Sequence, residues 1–365
     1  MPPRDNTRSP RRRPTPVNGG GTVTPLRRRR PVVVPLRALS LATPVQAGLR
    51  LTIVGVGIAV LAGTLIAAWK PATQRVPRPA AALVSPVATA ARPTLQGRDL
   101  GQTEKLDQLE QKFGALAAAQ KDLKATAFLI DLDTGRYADY NGEQARSAAS
   151  TIKIPVLAAL MEEVNAGRIR LDEKLTMRKP LIASEAGAMQ YLPVNSRFTV
   201  LETAIEMIRI SDNTATNLLI DRLGGKARLN QRFQTWGLQQ TRIGNLLPDL
   251  EGANKTSARD LVTVLAQVER GERCGTTKAR DRFWAILRTA ETNTLINRGV
   301  GPGTLVAHKT GDIAISLGDA GLVDLLNGKR YIIGSLVGRP DNDQRANDLI
   351  RAFSTAAFQV LNAKS

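Results

Sequence analysis

Three short clusters of reactive and hydrogen-bonding residues stand in order along the 365-residue chain: Ser150-Thr151-Ile152-Lys153, Ser211-Asp212-Asn213 and Lys309-Thr310-Gly311. A Ser-x-x-Lys is expected about once by chance in a chain of this length, whereas each fixed tripeptide has a chance of roughly one in ten or less. The ordered set therefore carries weight that none of its members has alone. A serine hydroxyl is a poor nucleophile until a neighbouring base takes its proton. With one His and one Cys in the chain, an imidazole base has to be His308, and a Cys-rich zinc site, a disulfide framework and a Cys-x-x-Cys redox pair are excluded. No metal and no cofactor is expected. A lysine amine remains as the base, and Lys153 follows Ser150 by three residues, which on a helix puts both side chains on one face. A lysine works as a base only when its pKa falls well below ~10.4, which burial and a second cation promote, and Lys309 is the candidate for that cation.

Ser150 lies where the small residues Ser147, Ala148 and Ala149 give way to the helix-forming run VLAALMEEV. A helix N-terminus there would offer free N–H groups and positive potential to the oxyanion of a tetrahedral acyl intermediate. Pro155 cannot donate to the preceding turn, so an irregular first turn is expected. Taken alone, Ser150 and Lys153 would read as a capping serine and a surface lysine. His308 reads as a structural histidine at a strand end, and Cys274 as an inert lone thiol.

The set of motifs resembles that of class A β-lactamases and penicillin-binding proteins, and the flanks SAASTIKIPVLAAL and ISDNTATNLLIDRLGG resemble that family beyond the motifs. The resemblance covers about residues 102 to 362. It implies a β-lactamase-like fold, with Ser150 as the acylated nucleophile, Lys153 as its base and Ser211 as the relay to the leaving nitrogen. Asn213 would contact the substrate amide. Lys309 and Thr310, with Gly311 beside them, would hold the substrate carboxylate on an edge strand, and the N–H groups of Ser150 and Asp312 would form the oxyanion hole.

Two departures from the family pattern matter. By spacing from Ser211 and Asn213, the family's deacylating glutamate falls near Leu247, within Gly244 to Lys255, and a leucine cannot activate water. Asp249 and Glu251 are the nearest carboxylates and the candidate deacylation bases, with solvated loop acids as the ordinary reading of both. Asp312 is the second departure: it either pairs with a nearby arginine or discourages an anionic substrate. No arginine lies in Leu317 to Leu326 to help hold a substrate carboxylate.

The elements that must position these residues follow from patterning. The formal charge is +19, but residues 1–50 contribute +10, residues 70–100 contribute +4, and residues 101–365 only +5. Residues 1–50, rich in Pro, Gly, Thr and Arg, read as a disordered basic tail, and without a single aromatic residue there to stack on bases, no nucleic-acid partner is expected; binding of the tail to anionic lipid or nucleic acid is a secondary reading. Leu51 to Trp69 is uncharged and mostly apolar, long enough as a helix to span about 28 Å of bilayer. The excess of Arg before it puts the tail in the cytoplasm and the rest of the chain outside, as a single-pass protein of the bacterial plasma membrane with an extracytoplasmic (periplasmic) catalytic domain. A cleaved signal peptide, with a small-residue site at Ala88 and Ala90, is the rival. Residues 70–101 form a Pro/Ala-rich linker.

Residues 102–365 are read as one domain of mixed α/β class, α+β in type: an antiparallel sheet flanked by terminal helices, joined to a helical lobe. The predicted elements are a helix over 104–123, strands over 127–132 and 136–140, a helix-rich stretch over 153–290, strands over 305–309, 320–326 and 331–337 with a turn at Asn327-Gly328, and a closing helix over 344–361. The expected function is that of a membrane-anchored serine hydrolase of the class A β-lactamase type, acylated on Ser150 by β-lactams and hydrolysing them; the alternatives are a D,D-peptidase-like enzyme or slow penicillin-binding protein acting on peptidoglycan stem peptides, and a non-catalytic cell-wall binding module.

Overall fold

The computed structural model describes residues 102–363. The basic tail, the apolar segment 51–69 and the linker lie outside the described residues; among those described, no helix is long and apolar enough to cross a membrane.

The chain opens with helix α1 (Asp107–Ala118) and the strands β1 (Lys124–Asp131) and β2 (Tyr137–Tyr140). A short strand β3 (Arg146–Ser147) and a 3-10 turn (Ala149–Ile152) then lead into α2 (Lys153–Asn165). The lobe continues through β4 (Lys174–Thr176), β5 (Arg197–Thr199), α3 (Val200–Arg209), α4 (Asn213–Arg222), α5 (Gly225–Thr235), β6 (Lys255–Thr256), α6 (Ala258–Glu269), α7 (Thr277–Leu287) and the single turn α8 (Ile296–Gly299). The chain returns to the sheet as β7 (Leu305–Ile313), β8 (Ser316–Asp324) and β9 (Arg330–Gly338), and ends in α9 (Arg345–Asn362).

The main sheet has the order β2-β1-β9-β8-β7 and every pairing in it is antiparallel. Its two faces are packed by different parts of the chain, and side chains alternate between them. On β1, Phe128 and Ile130 belong to the core shared with the helical lobe, while Ala127 and Leu129 join Leu109, Phe113, Leu349 and Phe353 of the two terminal helices. On β9, Ile332 and Leu336 face the lobe, and Tyr331, Ile333 and Val337 face the terminal helices. Cover on both faces is why these strands read as unbroken apolar runs.

The patterning predicts the core of each of these elements and errs at their ends. Helix α1 is shorter than its apolar period, and β7 runs on through the Lys-Thr-Gly motif to Ile313. The extension of β7 comes from its ladder to β8, whose register pairs Thr310 with Asp319 and Gly311 with Gly318. Pairing across strands is invisible to local propensity. The turn after β8 falls at Asn327-Gly328, with Gly328 at φ 85°. It is a three-residue loop over 326–328 rather than the two-residue hairpin that the pair signals, with Leu325 N donating to Lys329 O at 2.9 Å and Gly328 N to Leu325 O at 3.0 Å.

Helix α2 is the axis of the lobe. Its residues from Lys153 to Met161 are all buried, which explains a composition apolar on every side. Its one buried acid, Glu163, is held ionised by hydrogen bonds from Arg168 and by Arg232, which bring its pKa down to about 2.

Phe353 is fully buried, with its ring 5.0 Å from Phe113 and 6.4 Å from Tyr140. Phe353→Ala is expected to cost about 3–5 kcal/mol in urea unfolding, and a loss under about 1 kcal/mol would show that the terminal helices are not part of the same cooperative core.

Candidate active site

Ser150 sits in the 3-10 turn and Lys153 is the first residue of α2. Pro155 therefore occupies the first turn, where its missing N–H breaks no hydrogen bond of the helix. The Lys153 amine is fully buried and surrounded by four oxygens: Ser150 Oγ at 3.0 Å, Ser211 Oγ at 2.9 Å, Ser211 O at 2.6 Å and Asn213 Oδ1 at 3.0 Å. Ser211 Oγ donates to Ser150 Oγ at 2.8 Å. Burial first, and the Lys309 cation second, push the Lys153 pKa well below the usual lysine value, against the opposing pull of Asp212. A neutral amine has two N–H donors and one lone pair, so in this cage it can accept the Ser150 hydroxyl proton while its own hydrogens stay bonded.

Backbone held in an unfavourable region builds the cage. Ala149 (φ 44°), Ser211 (φ 60°) and Glu185 (φ 76°) all adopt left-handed conformations without being glycine, at a cost on the order of 1–3 kcal/mol each. Ala149 precedes the nucleophile, and Ser211 directs both its oxygens at Lys153. Asp212 locks the next turn: its carboxylate caps α4 through Ala215 N at 2.8 Å and takes Met189 N at 2.9 Å. Asn213 reaches the same 184–189 loop, donating through Nδ2 to Ser184 O at 2.8 Å and through its backbone N–H to Ala186 O at 3.0 Å. Gly187 is required there, because a Cβ would meet Asp212 Oδ2 at 2.1 Å.

The third motif arrives on the edge strand β7. Lys309 is buried and donates to Thr310 O at 2.9 Å; burial lowers its pKa to about 8 despite the opposing Asp319 charge. Gly311 lets the strand lie against the nucleophile's turn, since a Cβ on it would meet Thr151 N at 2.8 Å and Ser150 N at 2.9 Å. Asp312 is exposed and pairs with Arg339, which comes from beyond β9. Of the two expectations for Asp312, the structure contains the pairing.

Ser150, Lys153, Ser211 and Asn213 thus form one hydrogen-bonded group, with Lys309 near enough to perturb Lys153. The two candidate deacylation bases do not join it. Asp249 is buried and its oxygens take Ala253 N at 3.0 Å, Asn254 N at 2.7 Å and Asn245 Nδ2 at 3.2 Å, so it folds its own loop. Glu251 is exposed and makes no hydrogen bond or ion pair among the described residues. Leu247 is in the core, its backbone clamped by Asn217 at 2.9 and 2.7 Å. His308 is buried, Nδ1 against the Asp319 carboxylate at 2.8 Å and Nε2 beside Asn297 Nδ2 at 3.1 Å. Asp319 also takes Ile296 N at 3.0 Å, so this histidine ties the 293–297 segment to the sheet. Cys274 is buried, which pushes its thiol up to about 12.

Sequence reasoning missed the 184–189 loop, Asp212 as its anchor, and Arg339. A glycine in SEAGAM is the only local trace of the first, and nothing local marks the last.

Residues 108–361 match the family model described as "Beta-lactamase enzyme family". The chain belongs to that family. Two solved structures of PBP-A are 48% identical to it; one, the acyl-enzyme complex of a leucine-to-glutamate mutant with penicillin G, has a TM-score of 0.69 and is matched over 71% of this chain and 97% of that one. The β-lactamase of Bacillus licheniformis is 26% identical over 71% of this chain and 86% of its own length. That of Rhodobacter capsulatus is 27% identical over 46% of this chain, so that the match spans 54% of that relative.

For the acylation of Ser150 that the motif resemblance implies, the two lysines are expected to set opposite limits on the rate. Neutral Lys153 becomes more abundant as pH rises through its lowered pKa, while charged Lys309, the candidate carboxylate anchor, is lost as pH rises through about 8. The second-order rate of acylation is expected to trace a bell with its alkaline limb near pH 8. Lys309→Arg, whose guanidinium does not titrate in this range, should shift that limb upward; a limb left in place would assign it to another group.

Proposed function

We propose that the domain is a penicillin-recognising serine hydrolase that is acylated on Ser150 and releases the acyl group slowly, and that its own reaction is D,D-peptidase-like acyl transfer on peptidoglycan stem peptides. The observation that carries this reading is the buried Lys153 amine 3.0 Å from Ser150 Oγ, in a group to which no carboxylate is hydrogen-bonded among the described residues.

In this mechanism the Ser150 proton passes to Lys153 as Oγ adds to the substrate carbonyl. The developing oxyanion takes the N–H groups of Ser150 and Asp312. The carbonyl C–N bond then breaks, and the proton reaches the leaving nitrogen through Ser211 Oγ, which lies between both partners at 2.8 and 2.9 Å. Lys309 and Thr310 hold the substrate carboxylate, and Asn213 contacts the amide on the acyl side. An ester on Ser150 results. Opening a β-lactam in this way leaves the cleaved amine tethered to the acyl group, so it cannot diffuse away, and turnover depends on an activated water. The buried Leu247 and the committed Asp249 supply no base for it. The acyl-enzyme of PBP-A with penicillin G, from a relative 48% identical, supports the acylation half of the scheme.

The location we propose is extracytoplasmic, with the domain tethered by residues 51–69. The uncharged run of that segment and the Arg excess before it support this reading.

Intact-mass spectrometry with benzylpenicillin tests the assignment. A persistent adduct on Ser150, absent in Ser150→Ala, is expected, and Leu247→Glu should shorten its lifetime at least about tenfold while Leu247→Gln does not. An adduct that vanishes within the mixing time in the native protein would instead make it a fast β-lactamase, and no adduct at all would reduce the domain to a binding module.

A further inference from the structure

Resting on the acylation reading above, we infer that Arg339 is a positioning residue for the oxyanion hole. It acts through the Asp312 side chain to fix the strand end whose N–H takes the developing charge.

The argument starts from the ladder. Asp312 pairs with Leu317 on β8, and Leu317 pairs with Val337 on β9. Cross-strand partners share a face of the sheet, and so do residues two apart along a strand. Asp312, Leu317, Val337 and Arg339 therefore line one face, the one whose Leu317 and Val337 pack on the terminal helices. Arg339 follows β9 directly, and only β8 separates β9 from the edge strand. Its side chain is 1% exposed, against 60% for Asp312. Every hydrogen bond it donates from the guanidinium among the described residues leaves from Nη2: to Asp312 Oδ1, to Ile313 O at 3.2 Å and to Asn342 Oδ1 at 3.4 Å. The backbone completes the brace, with Arg339 N donating to Ile315 O at 3.0 Å and Asn342 N to Ala314 O at 2.9 Å.

Apart from Asn342 Oδ1, the acceptors of these bonds all lie in residues 312–315, the end of β7 and its turn into β8. An edge strand has a neighbour on one side only, so its free end is the least constrained part of the sheet. The opposite side of this strand end is fixed by Gly311 against Ser150 N, 2.9 Å from where a Cβ would stand. The oxyanion hole needs two N–H groups, from Ser150 and Asp312, held at a set separation before the charge appears. Ser150 N is held by its turn and α2; Asp312 N is held by Gly311 packing on one side and by Arg339 on the other. A buried arginine that donates from its guanidinium to Asp312 and Ile313, and from its backbone N–H to Ile315, is accounted for by this role.

The test is acylation by benzylpenicillin in the native protein, Arg339→Met, Asp312→Asn and the double variant, with the half-saturation concentration and the limiting first-order rate resolved separately. Each single change is expected to lower the limiting rate about tenfold, below the roughly hundredfold loss seen when an oxyanion donor is removed outright, with half-saturation unchanged. The double variant should be no slower than the slower single one, because both break the same contact. The infrared ester band of the accumulated acyl-enzyme should move to higher wavenumber in Asp312→Asn, as hydrogen bonding to the carbonyl weakens; a merely structural brace would leave that band in place. Asp312→Asn keeps the side-chain volume, so it serves where Arg339→Met fails to fold. Single variants acylated at the native rate, losses that multiply in the double variant, or an unmoved band would overturn the inference while leaving the acylation reading intact. A native protein that forms no adduct would overturn both.

Discussion

A lysine amine without water around it is the constraint from which the rest of the structure can be derived. An ammonium group taken out of water loses several kcal/mol of solvation unless a charge partner replaces it, and none of the four oxygens within 3.0 Å of Lys153 Nζ belongs to a carboxylate. Asp212 is close enough to oppose the shift, but its own hydrogen bonds go to backbone N–H groups of Ala215 and Met189. Burial therefore shifts the amine toward its neutral form, the form that acts as a base. Lys309 strengthens the effect by adding like charge. The same burial that costs stability thus creates the reactivity, and the stretch of α2 from Lys153 to Met161, buried throughout, provides it.

Holding such a group in place takes rigid surroundings on three sides. The helix supplies Lys153 and the turn before it supplies Ser150. The turn before α4 supplies Ser211 and Asn213, with a left-handed serine pinned by an aspartate cap on one side and the 184–189 loop on the other. The sheet supplies Lys309 on a strand that glycine allows to touch the serine turn. Strain in the two loop segments is affordable because the elements behind them, a buried helix and a sheet covered on both faces, are the most heavily packed in the domain.

What the sequence disclosed follows the same division. Residues whose chemistry is local were legible: the three motifs, the apolar strands, the Asn327-Gly328 turn, and the terminal helices with their period of 3.6. The pairing of Lys153 with Ser150 was legible too, because the near absence of histidine removed the usual competitor. The extent of β7 was not, since it depends on a ladder to β8 that is set by tertiary pairing. Nor was the partner of Asp312, because Arg339 is separated from it by two strands in the chain and meets it only once the sheet has formed. Glu185 in the left-handed region likewise has no local signature. Asp249 lies near the expected deacylation position in the sequence, but what it does depends on hydrogen bonds to its own loop that only the folded chain makes.

Those hydrogen bonds bear on how an acyl-enzyme can end. A short loop that must turn sharply has many backbone N–H groups to satisfy, and an aspartate that accepts from two of them is a structural solution to that problem. Asp249 is such a solution, with both of its oxygens engaged in holding the loop. Leu247, clamped through its backbone by Asn217, presents an apolar side chain to the core two residues earlier. The loop is thus stabilised by the very carboxylate that a hydrolytic loop would have to leave free, and on the proposed reading a stable loop and slow deacylation are two consequences of one arrangement. Under that proposal the arrangement costs nothing to an enzyme whose acyl group passes to an amine or slowly to water, whereas a β-lactam, which leaves its amine attached to the acyl group, would be trapped by it.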